Sequence, residues 1–143
     1  MLGHTYQPRS QGIEHGNLLD EKATMMMKDY GVFLTPTLVT YAAMAAPEFS
    51  GFLPLVSAKK NRAGFDKSFH ALGLASKIGV NICFGTDLLG PLHYAQIKDF
   101  AIQSTVQSNL EILRSATTTP ARMLGQDSFL GQIAPGFAAD LLI

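Results

Sequence analysis

His4, Tyr6, His15, Asp87 and His93 are the residues of this 143-residue chain whose types could carry out chemistry. Neutral imidazole and carboxylate are usual ligands of zinc and similar divalent ions, so His4, His15 and Asp87 together make a credible metal site. Their separations along the chain, 11 and then 72 residues, carry little information alone. Each also has a plainer reading: a surface or packed histidine, or an aspartate that caps a helix or turn. His15 ends the run QGIEH just before Gly16, and Asp87 follows VNICFGT just before another loop. Tyr6 lies two residues past His4, His93 and Tyr94 lie in the loop after Asp87, and His70 stands beside Phe69 as a helix-face residue.

The elements that must position these residues alternate between short apolar strands and helical patterns. Gln11 to His15 reads as a strand, and Asp20 as the cap of a helix that carries Ala23, Met26, Met27 and Tyr30 on one face and stops at Gly31. Val32 to Val39 (VFLTPTLV) reads as a strand, with Pro36 marking its end or a bulge because proline has no ladder donor. Residues 42–56 read as a long loop. A helix over Ser57 to Ile78 turns Phe65, Phe69, Leu72 and Ala75 inward despite Gly64 and Gly73. Gly79 ends it, and Val80 to Phe84 forms the strand leading to Asp87. Gln103 to Arg114 reads as one amphipathic helix through Val106, Leu110 and Leu113. Thr119-Pro120 opens a short helix ending at Gly125, and Leu130 to Ile143 reads as a β-hairpin about Pro135-Gly136. Strands alternating with helices predict a parallel sheet, whose chemistry gathers at the carboxyl ends of the strands. His15 and Asp87 then share one rim, joined by His4 if Leu2 to Tyr6 ends another strand.

Composition bounds the partners. Hydrophobic residues make up 47% of the chain and the formal net charge is zero, as for a globular domain with a real core. Eleven basic and eleven acidic residues are scattered without a long single-sign run, which leaves no footprint for nucleic acid or an anionic membrane. The apolar runs are too short for a membrane span, and no export signal opens the chain. One cysteine, Cys83, suits a reducing compartment, with the cytoplasm as the default.

HTYQP (4–8), IEHGNLLDE (13–21), VFLTPTLVTY (32–41), FGTDLLGPLH (84–93), LRSATTTPARMLG (113–125) and LGQIAPGFAADLLI (130–143) resemble consecutive segments of an amidohydrolase superfamily enzyme. The resemblance is to the imidazolonepropionase-like and prolidase-like dipeptidase branch. It implies an α/β fold, the C-terminal part of a (β/α)8 metal-dependent hydrolase barrel. Residues 1–125 would supply strands like the fifth to eighth, and 126–143 the start of the return to a small β-sandwich domain. It further implies one or two divalent ions, usually zinc. By position, His4 resembles the ligand closing the fifth strand, His15 that of the sixth, and Asp87 the acid of the eighth. Asp87 would be catalytic as well, taking the proton of a metal-activated water that attacks an amide, dipeptide or cyclic amide, and passing it to the leaving amine. Tyr6 would hydrogen-bond the substrate carbonyl as its charge grows, and His93 would line the substrate pocket.

The chain departs from that pattern in two ways. The His-x-His pair of the first strand and the carboxylated lysine or glutamate of the middle strands have no counterpart, and a barrel takes about 250 residues. A C-terminal fragment is therefore expected. Ten residues separate His4 from His15, whereas neighbouring parallel strands need a crossover of about a dozen or more. Two readings stand: part of a hydrolase of C–N bonds, or a non-catalytic half-barrel serving packing, self-association or union with a complementing half.

Overall fold

The computed structural model describes residues 12–140. Three short strands, β1 (Gly12–Glu14), β2 (Phe33–Thr35) and β3 (Asn81–Ile82), form one parallel sheet in the order β1-β2-β3. The register sets Ile13 opposite Leu34, and Leu34 opposite Ile82. Bonds from His15 N to Thr35 O (2.8 Å) and from Cys83 N to Leu34 O (2.8 Å) carry the pairing beyond the strands. Helix α1 (Glu21–Asp29) crosses from β1 to β2, and α2 (Leu38–Met44) and α3 (Leu55–Ile78) cross from β2 to β3. After β3 come α4 (Lys98–Gln103), α5 (Asn109–Ala116) and α6 (Thr118–Met123). Parallel neighbours joined by helices are the arrangement the sequence predicts.

Among the described residues the buried apolar side chains form two clusters. Met27, Leu34, Leu38, Leu72, Ala75, Val80 and Ile82 form the larger, with Phe65, Phe69 and Val106 packed against it. Val39, Ala43, Leu88, Leu92 and Ala95 form a smaller cluster beside the carboxyl ends of the strands. The α3 residues Leu72 and Ala75 thus face inward as expected, and Gly79 ends the helix in the left-handed region at φ 83°.

Several boundaries differ from expectation, each for a local reason. Pro36 does end β2, but Thr37 then adopts φ 48° and α2 begins at Leu38, so the strand expected to Val39 and the loop expected from residue 42 are partly helix. Asp20 caps α1 through Ala23 N at 2.8 Å as expected. Its buried residues are Thr24 and Met27, while Met26 and Tyr30 face solvent, because only one edge of this short helix meets α3 and the core. The single helix expected over Gln103 to Arg114 is two: Ser108 accepts from Glu111 N, and Glu111 accepts in return from Ser108 N at 2.7 Å, a reciprocal cap that starts α5 afresh. Ile112 and Ser115 are then buried, whereas Leu110 and Leu113 are exposed. Between Leu124 and Asp140 there is no strand. The turn expected at Pro135-Gly136 is present, closed by Phe137 N to Ala134 O (3.1 Å), but among the described residues the flanking backbone makes one bond across it, Ala138 N to Phe129 O, and no ladder; positions 141–143 of the expected hairpin lie outside the described residues.

Candidate functional site

Parallel strands deliver their carboxyl ends to one rim, and the rim here is built from the residues just past each strand. His15 follows β1, Thr37 follows β2 and Asp87 follows β3. Among the described residues these three are the only non-glycine positions with positive φ, at 68°, 48° and 50°. Left-handed backbone costs an L-residue roughly 1–2 kcal/mol, and most for a β-branched one such as threonine. Such outliers collect where a site over-determines the backbone.

The side chains converge. His15 Nδ1 lies 2.6 Å from Thr37 Oγ1, and His15 Nε2 lies 3.8 Å from Asp87 Oδ2. Both imidazole and carboxylate are about half exposed, at 43% and 52%, so they face an open cleft of about 310 Å³ rather than a sealed interior. Tyr41 meets the His15 ring edge to face at 6.3 Å. Thr40 donates to Thr86 O at 2.6 Å and fixes the backbone that aims Asp87. Gly85 is required by close approach: a Cβ there would stand 2.5 Å from Thr35 Cγ2.

The structure brings together two of the sequence-predicted site residues, His15 and Asp87. His4 and Tyr6 lie outside the described residues. His93 is exposed on the 3-10 turn Gly90–Ala95 and does not line the cleft. Its neighbour Tyr94 donates to Glu48 (2.8 Å) and carries the Lys98 ammonium over its ring, a surface cluster apart from the rim. Thr37, Thr40 and Tyr41 are the rim residues that sequence reading missed. The one signal for Thr37 was its place after Pro36, which forces the chain out of the ladder.

A divalent ion finds two fitting donors. If Nδ1 keeps its hydrogen and donates to Thr37 Oγ1, Nε2 presents its lone pair beside the Asp87 carboxylate, a nitrogen and oxygen pair suited to zinc. Among the described residues no third histidine, cysteine, aspartate or glutamate joins them. Cys83 is buried and unsuited to the part. Burial pushes its thiol up to about 11, and its sulfur lies 3.8 Å from Met123 Sδ.

Comparison with known proteins identifies the family. The model of the Amidohydrolase family matches residues 7–143. The ochratoxinase of Aspergillus niger is 28% identical over 133 residues, covering 92% of this chain and 28% of that protein. A prolidase solved in complex with N-methylphosphonate-L-proline superposes with a TM-score of 0.85 at 43% identity, covering 91% of this chain and 32% of the other. An Xaa-Pro dipeptidase with methionine bound in its active site gives 0.77 at 26% identity, covering 90% and 32%. The chain therefore spans about a third of the length of these relatives. With the family's model matching residues 7–143, nearly the whole of its length, the chain belongs to the amidohydrolase family.

Proposed function

We propose that this chain supplies the His15 and Asp87 portion of a metal-dependent site that hydrolyses C–N bonds, on a segment of a (β/α)8 barrel. The substrate class is an amide, dipeptide or cyclic amide. The observation that carries this is the approach of His15 Nε2 to Asp87 Oδ2 at the carboxyl ends of two parallel strands. Relatives that are a prolidase and an Xaa-Pro dipeptidase favour dipeptides with a C-terminal proline.

His15 and Asp87 would hold a divalent ion, zinc by donor type, with His4 as a further ligand. When bound, that ion polarises a carbonyl and acidifies water toward neutrality. The protein's own part is positional and acid–base. Thr37 accepts the Nδ1 hydrogen and keeps the imidazole in one tautomer and one plane. Asp87, at the open cleft, takes the proton of the attacking water on a carboxylate oxygen and returns it to the leaving amine. Tyr6 is assigned to hydrogen-bond the carbonyl oxygen. The exposed position of His93 gives no support to its substrate-lining role.

The test is metal content and hydrolysis of Xaa-Pro dipeptides by the purified chain. Near-stoichiometric zinc or manganese is expected, lost in His15→Ala and Asp87→Ala variants whose circular dichroism is unchanged. A folded chain that retains no metal and cleaves no dipeptide rules the reading out.

One observation favours a second, associative reading. Parallel sheets are normally covered on both faces, yet Ile13 and Glu14 of β1 are exposed at the edge of the described sheet. A complementing half-barrel or a second copy would cover them.

A further inference from the structure

The buried carboxylate of Asp99 lies outside the rim, yet the rim is tied to it. Asp99 sits at the start of α4 with no solvent exposure. Its Oδ1 accepts from Val39 N at 2.9 Å, across 60 residues of sequence, and its Oδ2 accepts from Gln103 Nε2 at 2.7 Å. Val39 is the second residue of α2, so its N–H is one of the amides that a helix start leaves without an internal partner. Thr37, the N-cap residue of α2, stands in the left-handed region rather than the extended conformation of a capping residue and makes no side-chain cap; its hydroxyl meets His15 instead. Asp99 supplies the cap from outside.

What α2 carries makes this consequential. Thr37 stands at its head and holds His15 Nδ1, and Thr40 in its first turn holds Thr86 O, next to Asp87. Val39 also packs in the cluster that contains Leu88, the residue after Asp87. Both ends of the His15–Asp87 pair therefore lean on the first turn of α2, and one carboxylate fixes that turn from behind.

We propose that Asp99 is a positioning residue for the candidate site, holding the first turn of α2 so that Thr37 and Thr40 fix the His15 ring and the Asp87 backbone. Burial pushes the Asp99 carboxyl up to about 6, with the Gln103 and Val39 bonds pulling against that rise.

The inference depends on the proposed function only for what the rim is used for, so its test is read without metal or substrate. Long-range 1H–15N spectra of the metal-free chain report the His15 ring nitrogens. The wild type should show one fixed tautomer, with widely separated Nδ1 and Nε2 shifts. Asp99→Leu, similar in volume but unable to accept, should bring the two shifts toward an averaged value while circular dichroism stays folded. Asp99→Asn, which keeps an oxygen for Val39 N, should restore the wild-type shifts. If the leucine variant does not fold, Asp99→Ser, too short to reach Val39 N, takes its place. A folded Leu or Ser variant with unchanged His15 shifts overturns the proposal, as does a folded Asn variant with averaged ones. Metal uptake, expected to weaken about 10-fold in Asp99→Leu, reports separately on the site's proposed function. A chain that never binds metal but loses the fixed tautomer would leave Asp99's role standing.

Discussion

Thr37 is an expensive residue at φ 48°, since its branched Cβ crowds the backbone there, and a glycine would relieve the strain. Its hydroxyl is what a glycine could not supply. Thr37→Val keeps the shape and removes the bond to half-exposed His15. Stability should change by no more than about 1 kcal/mol, because the freed ring nitrogen can turn to water. Metal affinity, measured by competition with a chelator, should fall about 10- to 100-fold and return in Thr37→Ser. An unchanged affinity would remove Thr37 from the site. Asp99 makes a prediction of opposite visibility, in stability rather than binding. Its carboxyl is raised from 3.8 to about 6, so the folded chain holds that proton more tightly than the unfolded one. Its contribution is fully present below about pH 4 and is lost as pH rises through 6, by about 3 kcal/mol at most. Urea midpoints at pH 4.5 and 7 should show this loss in the wild type and not in Asp99→Asn; equal slopes would refute it. Of these candidate-site residues, the pairing of His15 and Asp87 at one rim was legible because a strand pattern ran straight into each. Thr37 and Asp99 were not, since a threonine after a proline and an aspartate in a helix look ordinary until the fold places one beside His15 and the other beneath Val39.

At the level of elements, the sequence pattern succeeded where a single periodicity ran long and failed where two short elements abutted. The α3 helix, 24 residues with Leu72 and Ala75 inward, was readable almost to its ends. The Gln103–Arg114 region was not, because the apolar spacing of Val106, Leu110 and Leu113 continues across a break that only the Ser108–Glu111 exchange reveals. That exchange was written in the sequence as Ser-x-x-Glu and was outweighed by periodicity. It should be measurable. Bonds from the Ser108 side chain, then the Ser108 backbone and the Ser76 hydroxyl, hold the Glu111 carboxyl below its usual value. Its support is therefore present above about pH 4.5 and disappears as pH falls through the lowered value. Ser108→Ala should cost about 1 kcal/mol near pH 7 and much less in acid, read from thermal melts at the two pH values. A cost independent of pH would mean that the carboxylate plays no part in the cap. The tail failed for a different reason: Pro135-Gly136 specified the turn, but a turn does not create partners for the strands on either side.

For the whole molecule, the governing fact is that a family fold is present over about a third of its relatives' length. The parallel sheet has three strands, and β1 exposes Ile13 at 37% at its edge among the described residues. Apolar side chains elsewhere also face solvent, among them Leu110, Leu113, Leu124 and Ile133, the last at 94%. Unpaired edge amides and exposed apolar surface both lower their free energy on contact with another chain. The concentration dependence of the mass should show it. Light scattering across about 1–100 μM is expected to report a rise above 15.4 kDa. Ile13→Lys puts a charge on the sheet edge and should return the mass toward the monomer, whereas Ile133→Lys, in the tail segment beyond α6, should not if β1 is the seam. Were both variants to associate as the wild type does, the edge would be excluded as the contact, and the associative reading would lose the observation that recommends it.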